Sequence, residues 1–197
     1  EGDKNTGFGS GTLYSNTTGA NNTASGYAAL KFNTTGNDNI AVGKNALYNN
    51  TTADYNVAVG TTALEDNTIG TFNTAVGNCS MLKNIEGNSN AAFGNQALRT
   101  NTAGDYNTAT GAFALYHSTA SNNTASGTYA LYTNITGNSN TASGSYALYN
   151  NTASYNAAVG FESLKANTTG YNNTSMGYQA LYANTTSNNS TAIGANA

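Results

Sequence analysis

The sequence predicts an all-β fold, a parallel β-roll or solenoid of about twelve 17-residue coils, and three observations predict it. The glycines that close each "NxAxG" segment, Gly9, Gly26, Gly43, Gly60, Gly77, Gly94, Gly111, Gly127, Gly144, Gly160, Gly177 and Gly194, recur every 17 residues, with two intervals of 16. Alanine keeps one column of this text at Ala24, Ala41, Ala58, Ala75, Ala92, Ala109, Ala125, Ala142, Ala158 and Ala192. Apolar residues are too sparse, and Gly and Asn too frequent, for amphipathic helices. A fixed period of this length is the mark of stacked repeats and overrides the one-or-two-domain expectation for 197 residues. Residues 1–197 therefore read as a single repetitive segment. Both ends fall inside a repeat, which reads as a piece of a longer fibre.

The consensus line is N-T-A-x-G-x-x-A-L-x-x-N-T-T-G-x-x. Its first element is a short alternating strand, seen as "NIAVG", "NVAVG", "NTAVG" and "STAIG". A Gly-x-x turn follows, then a second strand candidate around "ALY", then an Asn-Thr-Thr-Gly turn. Both short lines lose a residue in that last turn, at "STASNN" and "NTASYN", which marks it as a loop. Stacked about 4.8 Å apart, the coils would form a rod roughly 58 Å long. Asn suits such a stack because it tolerates left-handed corners and its amide can bond to its copy one coil away. One Asn column runs through Asn22, Asn39, Asn56, Asn73, Asn90, Asn107, Asn123, Asn140, Asn156 and Asn173, and a second through Asn33, Asn50, Asn67, Asn84, Asn101, Asn134, Asn151, Asn167 and Asn184.

The apolar column that completes each coil is Leu30, Leu47, Leu64, Met81, Leu98, Leu115, Leu131, Leu148, Leu164 and Leu181. A flat roll leaves room between its layers for the Ala columns, so the Leu column is expected to face outward. One Leu and two Ala per coil bury less apolar surface than ordering the coil requires. The expectation is an assembly in which Leu columns from several chains form a trimer core, with paired rods as the alternative.

Only 8% of residues are charged, and the net charge of -3 arises from nine acids and six bases with no basic stripe, which excludes nucleic acid as an expected partner. No apolar run approaches the roughly 18 residues of a membrane span, so no membrane insertion is expected in this segment. Cys79 is the single cysteine and reads as an incidental thiol, and His117 is the single histidine, without a second ligand at metal-binding spacing. The adjacent acids Glu65 and Asp66 read as a solvated corner. No nucleophile, phosphate-binding loop or calcium-binding repeat can be assembled, so neither catalysis, cofactor nor metal is expected.

Tyrosine is the informative surface residue. Tyr116, Tyr132 and Tyr149 follow the Leu column on consecutive coils, and Tyr55, Phe72, Tyr106 and Tyr155 stand just before the opening Asn. Amphipathic rings beside Asn and Thr can contact sugars, and Tyr116, Tyr132, Tyr149, Tyr55, Tyr106 and Tyr155 are the candidate glycan contacts. The plainer reading is that they pack along the edge of a narrow core.

"NSTAIGANA", "NIAVGKNA", "NVAVGTTA" and "NAAFGNQA" resemble the N-x-A-x-G-x-x-A unit of YadA-like head domains in trimeric autotransporter adhesins. The longer line, with "GYQALYANTT" and "NTTGYNNT", is similar to repeats of bacterial surface fibres and phage-type tail fibres. The resemblance implies a left-handed roll assembled as an intertwined or side-by-side homotrimer, outside the cell on a surface or virion fibre. It implies adhesion to host, prey or surface glycans. Two alternatives stand beside adhesion: a spacer rod presenting a separate tip, and an ice-binding solenoid. The ice-binding reading rests on Thr23-x-Ser25, Thr108-x-Thr110, Thr124-x-Ser126 and Thr141-x-Ser143, an array interrupted by Ile40-x-Val42, Val57-x-Val59 and Ala91-x-Phe93.

Overall fold

The structure, a computed structural model, describes residues 4–197. It is a parallel β-solenoid without helix among those residues. Each coil contributes one three-residue strand: β1 Thr6–Phe8, β2 Thr23–Ser25, β3 Ile40–Val42, β4 Val57–Val59, β5 Thr74–Val76, β6 Ala91–Phe93, β7 Thr108–Thr110, β8 Thr124–Ser126, β9 Thr141–Ser143, β10 Ala157–Val159, β11 Thr174–Met176 and β12 Thr191–Ile193. All twelve form one sheet in chain order, joined by eleven turns of the coil. Pairing keeps like residues in register, as in Ala41 with Ala58 and Ala58 with Ala75. The register holds across the two short lines, where Thr108 pairs with Thr124 and Thr141 with Ala157, so each missing residue is absorbed in the turn.

From β2 to β11 the central residue of each strand points inward and its neighbours point outward. Facing the inward Ala column across the roll is the Ala-Leu column, and together they make one continuous core. The layers approach closely enough for the hydroxyls of Ser163 and Ser175, which replace Ala on opposite sides, to hydrogen-bond to each other. The closing glycines hold the first corner: Gly26 has φ +128°, and a Cβ there would lie 2.6 Å from the carbonyl oxygen of Gly43.

Two expectations fail at the Leu column. The "ALY" segment is not a strand, because the Leu column adopts left-handed backbone, with φ +50° at Leu30 and +51° at Leu98. Its amides still bond from coil to coil, Leu30 N–H to Ala46 O at 3.0 Å and Phe32 N–H to Tyr48 O at 3.1 Å, so the ladder continues without strand geometry. The column also does not face outward. Leu30, Leu47, Leu64, Met81, Leu98, Leu115, Leu131, Leu148 and Leu164 are fully buried within the single chain, and Leu181 is half-buried. The left-handed corner turns the side chain into the roll. That conformation costs roughly 1–2 kcal/mol per residue, and burial of a whole Leu side chain, roughly 1.5–3 kcal/mol, offsets it. Leu and Met fill the column and β-branched residues do not, because branching at Cβ makes positive φ still less favourable.

The two Asn columns flank this core and work differently. In the second column amide bonds to amide: Asn50 Nδ2 donates to Asn33 Oδ1 at 2.8 Å, Asn67 to Asn50 at 3.0 Å and Asn84 to Asn67 at 2.8 Å. Ser118 interrupts that ladder after Asn101, and it resumes with Asn151 bonded to Asn134 at 3.3 Å. In the first column the amide oxygen instead accepts a backbone N–H of the next coil, as at Asn56 N–H to Asn39 Oδ1, 2.9 Å.

Candidate functional site

Aromatic and apolar side chains gather at several places on this scaffold, three of which bear on function. On the coils that carry β7, β8 and β9, Tyr116, Tyr132 and Tyr149 form a file of stacked rings, 5.3 Å then 5.2 Å between centroids. A second file lies beside it: Phe113, Tyr129 and Tyr146, at 4.9 Å and 5.2 Å. The files interlock edge to face, with Tyr129 and Tyr132 at 5.3 Å and 68°. Cations close the ends. The Arg99 guanidinium lies 5.6 Å from the Tyr116 ring and its Nη1 donates to the Tyr116 hydroxyl at 2.7 Å, while Lys165 Nζ lies 5.1 Å from the Tyr146 ring. Lys165 is fixed in turn by Glu162 at 2.6 Å.

These contacts set the local electrostatics. Desolvation, reinforced by Tyr149, Tyr116 and Tyr129, raises the Tyr132 phenol above its ordinary value. Hydrogen bonds from Lys165 and Gln179 lower the Glu162 carboxyl, and the bond to Glu162 raises Lys165. Chemically the double file is a packed block. Its ring faces are taken by one another, and its half-buried rings leave edges and phenol oxygens for solvent. The file of Phe113, Tyr129 and Tyr146 had a signal in the sequence, an aromatic two places before Leu on three consecutive lines where the other lines carry Gly, Ala, Asn, Thr, Cys, Gln or Glu.

The second place is the column before the opening Asn, another left-handed corner. Tyr55 and Phe72 stack there at 5.0 Å and 7°. Tyr106 and Tyr155 stand apart from them, flanked on neighbouring coils by Ser89 and Asn122, and by Ser139 and Asn172. Phe72 is 59% exposed, Tyr106 65% and Tyr155 62%. The structure thus brings Tyr116, Tyr132 and Tyr149 together and leaves Tyr55, Tyr106 and Tyr155 as protruding rings on separate coils.

The third place is the outward face of the sheet. It is apolar over β3 to β6, with Ile40, Val42 and Phe93 exposed, and again toward the end of the chain at Val159, Met176 and Ile193. Between them β7, β8 and β9 carry exposed hydroxyls: Thr108, Thr110, Thr124, Ser126, Thr141 and Ser143. The unbroken hydroxyl array is therefore three strands wide.

His117 is exposed and sits edge-on to Tyr116 and Tyr132, at 4.5 Å and 5.0 Å between centroids. Cys79 is half-buried, its Sγ 3.2 Å from Thr62 Oγ1. Asp66 pairs with Lys83 at 2.7 Å, and Glu65 accepts from Asn45 at 3.2 Å. Among the described residues no group of three or more His, Cys, Asp or Glu could hold a metal ion, and no helix is long and apolar enough to cross a membrane.

Fold and surface define the class, an all-β solenoid repeat protein with registered aromatic columns. No protein family, curated protein or solved structure matches the chain.

Proposed function

We propose that this chain is a segment of an extracellular trimeric fibre that adheres to glycans on a host, prey or other surface. The observation that carries the reading is the column of exposed rings, Tyr55, Phe72, Tyr106 and Tyr155, held at fixed positions on a rod bonded from coil to coil. Rigid amphipathic rings lose little freedom when they contact a sugar. Repeated weak sites on one rod, and on three rods side by side, gain by multivalency. With the Leu column inside each chain, a surface open to self-association is the outward sheet face, where Ile40, Val42 and Phe93 are exposed on one side of the hydroxyl strands and Val159 and Met176 on the other. That face and the likeness to YadA-like heads support the trimer. Neither an active site nor a resident cofactor belongs to this reading.

The test has two arms. Light scattering across a dilution series should give the mass of three 20.1 kDa chains, and a stable monomer removes the trimer. A glycan array should show binding above background, and a blank array removes adhesion for this segment. The second reading, a spacer rod, is favoured by the double file of Tyr116, Tyr132, Tyr149 and their neighbours, whose ring faces serve packing. A trimer with a blank array is its signature.

A further inference from the structure

The exposed ring column contains a gap of defined size. Tyr55 and Phe72, on successive coils, are nearly parallel at 7° and 5.0 Å apart, so rings on adjacent coils of this column can stack face to face. Tyr106 holds the same column with the same left-handed backbone, φ +56° against +58° at Phe72. The coil between Phe72 and Tyr106 carries Ser89, small and exposed, at φ +55°. Two coil rises place the Phe72 and Tyr106 rings about 10 Å apart. Two half-thicknesses of aromatic ring take roughly 3.5 Å of that. The remainder fits one saturated six-membered ring, whereas a flat aromatic ring would leave it loose.

The side of the gap is polar. Asn88 and Asp105, the residues preceding Ser89 and Tyr106, line a surface cavity of about 320 Å³ together with Ile69, Glu86 and Ala103. Asp105 Oδ1 accepts the Asn88 N–H at 2.6 Å, and Glu86 is exposed. Carboxylate and amide groups therefore stand beside the gap that Ser89 leaves in the ring column between Phe72 and Tyr106.

We propose that this slot, between Phe72 and Tyr106 above Ser89, binds one pyranose unit of a glycan with gluco configuration. The inference rests on the adhesion reading and specifies its ligand. Two aromatic walls require a ring that is apolar on both faces. A β-gluco pyranose meets that demand because all its hydroxyls are equatorial: C–H bonds project from each face and the hydroxyls form a belt around the edge. That belt faces acceptors at Glu86 and Asp105. A galacto ring carries an axial O4 that would desolvate against one wall, and a manno ring does the same with O2.

The test uses the 197-residue chain with cellotetraose as probe, read by calorimetry and ligand-observed NMR, beside a broad glycan array. Ser89→Tyr fills the slot with a ring that the column already accepts at Tyr55, Tyr106 and Tyr155, so the thermal melt should not change. Tyr106→Ala removes one wall. The expected result is cellotetraose binding that weakens about tenfold or more in either variant, with a β-1,4-linked galactose tetrasaccharide bound at least tenfold more weakly by the unaltered chain. Equal cellotetraose binding by the unaltered chain and Ser89→Tyr overturns the slot and leaves adhesion standing. Array binding without any cellotetraose binding does the same. Equal affinity for the galacto and gluco probes overturns the two-walled geometry. A blank array with no cellotetraose binding overturns slot and adhesion together.

Discussion

The amide of Asn73 joins three successive levels of the rod. Its backbone N–H donates to Asn56 Oδ1 at 2.9 Å, its own Oδ1 accepts the backbone N–H of Asn90 at 3.0 Å, and its Nδ2 reaches the Gly87 carbonyl at 2.8 Å. All of this happens at 0% exposure. One side chain satisfies two buried backbone groups that no water reaches.

Asn73→Ala should therefore unfold at markedly lower temperature. It strands the buried Asn90 N–H, at about 1–3 kcal/mol, and leaves the Gly87 carbonyl with only the bond from Asn84 Nδ2. The same substitution at the exposed Asn78 should leave the melt within about 0.5 kcal/mol of the parent. Equal melts for the two variants, by circular dichroism, would remove the ladder as a source of stability.

The left-handed Leu column makes a prediction that volume alone does not. Leu98→Met should be tolerated, as Met81 already is, at a cost below about 1.5 kcal/mol. Leu98→Ile has nearly the same volume but places a branched Cβ at φ +51°, so it should destabilise clearly more than Met does. Leu98→Ala should cost about 2–5 kcal/mol through the cavity it leaves. Denaturant midpoints for the three variants check the order Met, Ile, then Ala.

Alkaline pH should loosen the double aromatic file. The Tyr132 phenol is raised by desolvation and by its Tyr neighbours, so the folded chain holds that proton more tightly than the unfolded chain does. Its contribution is whole below the unfolded phenol value of about 10 and is lost as pH rises through the folded value. Tyr132→Phe should flatten the fall in melting temperature above that pH. Phenolate absorbance should show one fewer late-titrating tyrosine in the variant.

Ice crystals should grow in the presence of this protein as they do in buffer. The hydroxyl face spans β7 to β9, between Ala91-x-Phe93 and Ala157-x-Val159. Thermal hysteresis above the buffer value would return the ice-binding reading to the front.

Much of this architecture was legible because repetition converts weak signals into columns. A single "TAS" says little, but twelve aligned triplets placed every strand, and ten of them its inward Ala. The Leu corner was not legible, because hydrophobic alternation carries no information about the sign of φ and Leu has no preference for left-handed backbone. That is why the segment read as a strand and its Leu as outward-facing. The Asn columns were found, but the bonding of the first was not, since spacing cannot tell an amide that bonds its copy from one that bonds a backbone N–H. Among the aromatics, Tyr106 and Tyr155 are exposed where the sequence offered them as contacts. Tyr116, Tyr132 and Tyr149 proved to stack on one another, joined by the neighbouring file of Phe113, Tyr129 and Tyr146.

The interruption at Ser118 bears on how the rod behaves under axial load. Asn101 and Asn134, the ladder members on either side, turn their Nδ2 groups to the local carbonyls of Gly104 and Gly137, and Ser118 carries no amide to bridge them. Bonds that cross between coils share an axial load, so the coils around Ser118 carry it without an Asn amide and lean on the backbone ladder and the stacked rings of Tyr116, Tyr132 and Tyr149. When the two ends are drawn apart in an optical trap, extension should begin with the coils around Ser118, as a step of a few coils' contour before the rest gives way. Ser118→Asn should raise the force of that first step if the amide fits the shortened turn. A joint of this kind would give under sudden axial strain while the coils on either side stayed stacked, so that the solenoid lengthens in a step instead of parting.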